Sequence, residues 1–367
     1  MINCDASFYS GMGKRILVAM SGGVDSSVAA ALLKEQGYDV IGATIKLWSK
    51  ELCGSDSARS CCNLKSVEDA RLVAGKLKIP YYVFNFEKEF RQEVIDYFIR
   101  EYLCGRTPNP CIICNERIKW GYFLLSAKKI GADFIATGHY AQKDYSRVKK
   151  RFLLKEAAYQ EKDQSYVLFS LTQEMLSKTI LPLGGHTKSE VRNLAKETGL
   201  IIFDKAESQD ICFIPPKNRK HFFLKFFPQI QPGLILNKEG KILGKHKGVI
   251  FYTVGQREGL QLTHKYPLYV IKIDAENNTL VVGERKDTMS DYLIAGDLNW
   301  IGMDKPRRKI RVEAKIRYRH PKAAATVFPE ANNRVKVIFD SPQFAITPGQ
   351  AVVFYRRDIV LGGGWIE

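Results

Sequence analysis

Three stretches of this 367-residue chain carry side chains suited to chemistry. The first is Ala19-Met20-Ser21-Gly22-Gly23-Val24-Asp25-Ser26-Ser27. Glycines free the backbone to take positive φ, so that successive N–H groups converge on one anion. The hydroxyls of Ser21, Ser26 and Ser27 add donors, and the helix that follows turns its positive dipole end the same way. The spacing is not G-x-x-x-x-G-K-[ST], and Asp25 stands where that loop would place its lysine. A carboxylate beside phosphates needs a cation between them, which points to a Mg²⁺ bridge. The plainer reading, an ordinary turn with Asp25 as helix cap, leaves the two glycines and three serines without a purpose.

The second stretch is Gly105-Arg106-Thr107-Pro108-Asn109-Pro110-Cys111-Ile112-Ile113-Cys114-Asn115. Two prolines stiffen a loop that delivers cysteines to the start of a helix expected from Asn115 to Ile130, where the dipole favours thiolate at Cys114. Cys111 and Cys114 also have the spacing of a metal pair, with Cys61 and Cys62 as the remaining ligands of a zinc site. Adjacent cysteines seldom chelate one tetrahedral ion, which counts against that alternative. The third stretch, Glu207-Ser208-Gln209-Asp210-Ile211-Cys212-Phe213-Ile214, sets one cysteine between apolar neighbours. Taken alone, Cys212 reads as a small buried hydrophobe.

The elements that position these residues alternate between strand and helix from Ile16 to Ala136. A strand at Ile16 to Ala19 precedes a helix from Asp25 to Gln36, which Gly37 stops. Val40 to Leu47 reads as a second strand, and Ser66-Val67-Glu68-Asp69 as a capping box opening the next helix. Tyr81 to Phe84 and Phe134 to Ala136 are further strands, separated by an amphipathic helix bearing Phe90, Val94, Tyr97, Phe98 and Tyr102. The pattern predicts an α/β fold with a doubly wound parallel sheet, whose ligands sit beyond the carboxyl ends of the strands. The glycine turn, Ile45 and Thr137-Gly138-His139 all fall at such ends. Thr187 caps a later helix that Gly199 closes, and short β-rich segments follow from about Phe222 to Trp365, suggesting a small barrel. Among them, Ile310, Val312, Ala314, Ile316 and Tyr318 alternate with Lys309, Arg311, Glu313, Lys315, Arg317 and Arg319. A face with five cations and one carboxylate is expected to meet phosphates.

Net charge agrees: +17 points first to nucleic acid as partner. A hydrophobic fraction of 45% excludes wholesale disorder, and no apolar run is long enough to cross a membrane. Residues 1–13 lack the apolar core of a signal peptide and read as a loose extension. The eight cysteines then read as thiols or ligands in the cytoplasm, not as a disulfide framework.

The glycine turn resembles the PP-loop of the ATP pyrophosphatases, which split ATP into AMP and pyrophosphate to activate an acceptor oxygen. Together with the proline–cysteine loop and Asp210-Ile211-Cys212-Phe213-Ile214, it resembles the bacterial tRNA-specific 2-thiouridylases. Further matches are Ala136-Thr137-Gly138-His139-Tyr140, Lys162-Asp163-Gln164-Ser165-Tyr166, the Tyr252-Thr253 to Gly259-Leu260 segment, Arg317-Tyr318-Arg319 and Thr347-Pro348-Gly349-Gln350. The resemblance implies a Rossmann-like PP-loop catalytic domain at 1–218, a small central domain at 219–285 and a tRNA-binding β-barrel at 286–367. It implies that ATP adenylates the 2-oxygen of the wobble uridine, which sulfur then replaces. Cys212 would carry a persulfide received from a sulfur-relay protein or a cysteine desulfurase. Cys114 would be the catalytic nucleophile, pairing transiently with Cys212 in a disulfide. Ala19, Met20, Ser21, Gly22, Gly23, Val24, Asp25, Ser26, Ile45 and Gly138 match ATP-contacting positions. Asn109, Pro110 and Cys111 match the segment facing the target base. His139, Lys162, Asp163, Gln164, Arg317, Tyr318 and Gln350 match tRNA-contacting positions. The resemblance also implies a monomer acting on the tRNAs for lysine, glutamate and glutamine.

Cys111 departs from family members that carry a proposed base, Asp, at its position. An alternative therefore stands beside the persulfide route: an iron–sulfur cluster held by Cys111, Cys114 and Cys212, as in related tRNA thiolases.

Overall fold

The computed structural model describes residues 13–47, 64–205, 211–214, 219–227 and 230–367. Residues 1–12, Cys53, Cys61, Cys62 and Glu207 to Asp210 lie outside them, as do the readings placed there. The chain divides into two compact units: Met1–Phe90, Asn115–Ser165 and Leu171–Phe213 in the first, and Arg91–Cys114, Tyr166–Ser170 and Ile214–Glu367 in the second.

The first unit is built on a parallel sheet. Its strands are β1 (Arg15–Ala19), β2 (Asp39–Lys46), β3 (Tyr81–Asn85), β4 (Phe134–Ala136) and β7 (Thr179–Ile180), ordered β3-β2-β1-β4-β7. Ile16 pairs with Val40 on one side and Phe134 on the other, so β1 is central. Ile16, Leu17 and Val18 are buried, as a parallel strand covered on both faces requires. A hairpin, β5 (Gln142–Ser146) with β6 (Arg151–Lys155), completes the described strands of this unit. The order runs from β1 through β2 to β3 in one direction and resumes with β4 on the opposite side of β1. That reversal opens a crevice beyond the ends of β1 and β4, the usual ligand position in such sheets.

The helix Val24–Glu35 follows β1 and buries Val28, Ala29, Ala30 and Leu33 in a core shared with Val191 and Ala195 of the helix Lys188–Glu197. Gly37 ends the first helix at φ +83°, with its N–H donating to Lys34 O, and Thr187 with Glu190 forms a complete capping box at the second. One boundary differs from expectation. The helix Leu64–Lys76 starts ahead of Ser66, which is buried inside it instead of capping it. The capping-box pattern misled because Ser66 is held by packing, its backbone lying against the glycine turn.

The second unit contains a four-stranded sheet and a barrel. The sheet is β8 (Gly233–Leu236), β9 (Ile242–His246), β10 (Tyr269–Asp274) and β11 (Thr279–Gly283), ordered β10-β11-β8-β9. Ile235, Tyr252, Leu260, Val270, Leu280 and Val282 form its core. The barrel strands are β12 (Met289–Asn299), β13 (Ile310–Lys315), β14 (Ala323–Pro329), β15 (Val335–Phe344), β16 (Ala351–Arg356) and β17 (Ile359–Ile366). They run β12-β15-β14-β13-β16-β17, and β12 pairs with β17 to close the ring. Closure leaves this set no free edge. In the same unit Phe98 stacks on Phe223 and meets Phe222 edge-on, and Tyr102 meets Phe223 edge-on.

The alternating basic strand is shorter than the pattern suggested. β13 ends at Lys315, and Arg317 and Arg319 lie in the turn beyond it. Ile316 keeps the apolar alternation alive past the strand because it is buried in the barrel core. The cations also have partners within the protein. Arg311 makes a two-pronged contact with Asp340 at 2.7 and 2.6 Å, and Arg317 donates to the carbonyls of Phe344 and Ala345.

Candidate functional site

In the glycine turn, Gly22 has φ +69°, whereas Gly23 sits at φ −99° and serves as the N-cap of the helix Val24–Glu35. Only one of the two glycines therefore uses left-handed freedom. Gly22 is needed twice over, since a Cβ there would lie 2.1 Å from the carbonyl oxygen of Ser66. Two serine hydroxyls shape the turn: Ser26 Oγ accepts from Ser21 N–H at 3.0 Å, and Ser27 Oγ donates to Gly23 O at 2.9 Å. Met20 is buried, and its backbone is fixed by Ala43 O and by Thr44 Oγ1, which donates to Met20 O at 2.7 Å. Ile45, near the end of β2, is buried beside this support. Gly138 follows β4, and a Cβ on it would come within 2.8 Å of Ser26 N. The glycine turn and Gly138 thus meet beyond the ends of β1 and β4, while Ile45 lies on β2, which pairs with the other side of β1.

Asp25 is not a bare carboxylate. Lys188 Nζ stands 2.5 Å from Asp25 Oδ1, and Tyr140 donates its hydroxyl proton to the same oxygen at 2.8 Å. Lys205 Nζ donates to Gly22 O at 2.9 Å and pairs with Asp69 at 2.6 Å. Sequence reasoning missed Lys188, Tyr140 and Lys205 as site residues. Lys188 was visible only as the residue after a helix cap, and the contact spans 163 positions. A single carboxylate is the kind of protein ligand Mg²⁺ takes when phosphates and water complete its shell.

His139 continues the same edge. Its Nδ1 lies 2.8 Å from Thr137 Oγ1, and Nε2 faces Lys119 Nζ at 3.5 Å. Burial and the nearby Lys119 ammonium hold its pKa well below the ordinary histidine value, so the ring is neutral. Lys119 also donates to Asn115 Oδ1 at 2.9 Å. Of the neighbouring triplet, Lys162 is half-buried, while Asp163 is buried and accepts from Ala157 N–H, Ser165 N–H and Ser165 Oγ–H. Gln164 Oε1 accepts from Tyr140 N–H at 2.9 Å, linking that loop to the tyrosine on Asp25. Cys212, also in the first unit, is half-buried and precedes the buried Phe213, whose ring meets Phe90 edge-on at 5.9 Å.

The second unit holds the other expected residues. Asn109 caps a helix that starts at Pro110, accepting from Cys111 N–H at 3.2 Å. Proline at the first helical position needs no N–H partner there. The helix therefore begins five residues ahead of the expected Asn115, with its turns π-wound from Cys114 to Phe123. As a consequence Cys111, exposed in the first turn, receives the positive end of the dipole, and half-buried Cys114 stands one turn further in. In the barrel, Tyr318 lies 6.2 Å from Tyr166, whose hydroxyl donates to Ala351 O at 2.8 Å. Gln350 Nε2 donates to Thr107 O at 2.7 Å. Among the described residues, no three His, Cys, Asp or Glu side chains gather closely enough to hold a metal ion. No described helix is long and apolar enough to cross a membrane.

Comparison with known proteins adds to this geometry. Residues 14–216 match the tRNA methyl transferase HUP domain, 220–284 the tRNA methyl transferase PRC-barrel domain, and 290–366 the aminomethyltransferase beta-barrel domain. The tRNA-specific 2-thiouridylase MnmA of Caldicellulosiruptor saccharolyticus is 53% identical over 358 residues, covering 97% of this chain and 99% of that protein. The protein of the same name from Acetivibrio thermocellus is 50% identical over 361 residues, covering 96% and 99%. That from Moorella thermoacetica is 52% identical over 352 residues, covering 96% and 99%.

Proposed function

We infer from this chain's place in the tRNA-specific 2-thiouridylase family, to which it belongs, that it is an ATP-dependent tRNA-uridine 2-sulfurtransferase. The observation that carries the reading is the match at 53% identity over 97% of the chain, which takes in the glycine turn and both cysteine stretches. The domain descriptions speak of methyl transfer, for which neither a pyrophosphatase-type turn nor a cysteine pair is needed.

In the proposed reaction, Ala19 to Ser26, Ile45 and Gly138 hold ATP, and Asp25 with Lys188 faces its phosphates. Asp25 would also hold Mg²⁺, whose charge offsets that of the phosphates. The wobble uridine leaves its stack to reach Asn109, Pro110 and Cys111, as bases do when enzymes act on them. Its 2-oxygen attacks the α-phosphorus of ATP and expels pyrophosphate, turning a poor leaving group into AMP. Cys212 carries the incoming sulfur as a persulfide. Cys114 thiolate attacks the inner sulfur of that persulfide, forming the Cys114–Cys212 disulfide and releasing hydrosulfide. The hydrosulfide adds to C2 and AMP departs, leaving 2-thiouridine. An external thiol reductant then reopens the disulfide. The iron–sulfur alternative would require Cys111, Cys114 and Cys212 to meet at one cluster, and an anaerobic iron assay separates the two.

His139, Lys162, Arg317 and Tyr318 are proposed on the tRNA side. Buried Asp163 supports Gln164 from within, since its carboxylate already accepts three hydrogen bonds. The proposed domains are 1–218, 219–285 and 286–367. The proposed partners are the tRNAs for lysine, glutamate and glutamine and a sulfur-relay protein or cysteine desulfurase, with the enzyme a cytoplasmic monomer. Mixing the protein with ATP, unmodified tRNA, a persulfide donor and a thiol reductant should yield AMP, pyrophosphate and 2-thiouridine in equal amounts. Absence of all three would end this reading.

A further inference from the structure

The cysteine loop is held from outside itself, and every main-chain polar group of one residue takes part. Thr107 N–H donates to Pro348 O at 2.8 Å, and Thr107 C=O accepts from Gln350 Nε2 at 2.7 Å. Its hydroxyl lies 3.3 Å from Thr253 Oγ1. Between Pro348 and Gln350, Gly349 at φ +86° leaves no room for a side chain: a Cβ would stand 3.0 Å from both Thr107 N and Arg106 Cβ. The turn that makes these contacts is itself fixed on the barrel. Gly349 N–H donates to Ile366 O at 2.9 Å, Ile366 N–H returns to Gln350 O at 2.8 Å, and buried Thr347 donates to Ala345 O at 2.8 Å. On the opposite side Gly105, at φ +71°, lets the loop approach Ile273, whose Cγ2 would be 3.0 Å from a Cβ there.

We propose that Gln350 is a positioning residue for the cysteine loop. With Pro348 and Gly349 it clasps Thr107, so that the barrel sets where Cys111 and Cys114 stand. The inference rests on the sulfurtransferase reading for its purpose, but the clasp itself is a property of the second unit alone. It assigns the Gln350 amide to the protein's own loop instead of to nucleic acid. The reacting sulfur must be held within about half an ångström of its productive position against the base, so a loosened loop costs rate more than affinity.

The test compares wild type with Gln350→Met, which keeps the bulk and removes the donor, and with Gln350→Ala. Three quantities are read: the rate at which iodoacetamide alkylates Cys114 in free enzyme, the tRNA dissociation constant, and the single-turnover rate of 2-thiouridine formation at saturating tRNA. The clasp predicts alkylation about fivefold faster, tRNA affinity within about threefold of wild type, and thiolation slower by about tenfold or more. Gly349→Ala should reproduce this pattern, and melting temperatures identify any variant that has not folded. Unchanged alkylation and unchanged saturated rate in folded Gln350→Met, with tRNA affinity lost about tenfold, would overturn the clasp and make Gln350 a direct tRNA contact. The alkylation arm needs neither ATP nor tRNA. A wild-type protein that makes no 2-thiouridine would therefore refute the functional reading and leave the clasp to stand or fall by its own measurement.

Discussion

The nucleotide turn and the cysteine loop are both short, glycine-bearing segments that lead into a helix, yet they are held in place differently. In the turn, Ser21, Gly23, Ser26 and Ser27 bond one another over at most five positions, and Lys205 adds one long-range bond, to Gly22 O. The cysteine loop depends on Thr253, Pro348 and Gln350, partners up to 243 positions away. A site at a strand end inherits rigidity from the sheet, whereas a site on a connection has to borrow it.

The largest expected effect sharpens the contrast inside the turn. Gly22→Ala must accept φ +69° and a contact 2.1 Å from Ser66 O, whereas Gly23→Ala meets nothing closer than Ser21 Oγ at 3.4 Å. The first should lower stability by about 3 kcal/mol or more and abolish ATP binding, while the second should cost under about 1 kcal/mol. Denaturant melts and calorimetric ATP titration distinguish them; equal losses would mean that left-handed geometry is not what the turn requires.

Next comes Lys188. Replacing it by Ala leaves the Asp25 carboxylate facing phosphate without its ammonium partner, and ATP affinity should drop about tenfold, with partial recovery in Lys188→Arg. Unaltered ATP binding in Lys188→Ala would reduce the ion pair to a scaffold role.

The fold of the first unit was legible because its apolar runs and glycine stops act locally: β1, the helix stopped by Gly37 and the Thr187 capping box all lie where the residues indicate. Long-range contacts were not legible. Nothing in the local pattern around Lys188 shows that it reaches Asp25, and Ser66 looked like a cap because the packing that buries it comes from Gly22. The basic alternation of 309–319 was real, but strand pairing stops at Lys315. Arg311 and Arg317 then spend their donors on Asp340 and on main-chain carbonyls.

A smaller effect concerns His139. Its folded-state pKa lies below the unfolded one, so the stability gained from burying it neutral is complete above about pH 6.5 and is lost as the pH falls toward the folded value. His139→Gln should flatten that part of the pH–stability curve below pH 6.5. An imidazole that already titrates near 6.5 by NMR would contradict the assignment. The smallest effect is expected at Asp340: Asp340→Asn releases Arg311 and should tighten tRNA binding about twofold, with a steeper salt dependence. Weaker binding would show that the pair itself orders the tRNA-facing surface.

The most direct test of the account follows the two halves of the reaction separately. Wild type, Cys114→Ser and Cys212→Ser are each given ATP, unmodified tRNA and a persulfide donor for a single turnover without added thiol, and the tRNA is examined by mass spectrometry. Wild type should yield 2-thiouridine. Both variants should retain the adenylated uridine and form no thiolated product, because activation belongs to the turn and sulfur to the cysteines. Thiolated tRNA from Cys212→Ser would contradict the account.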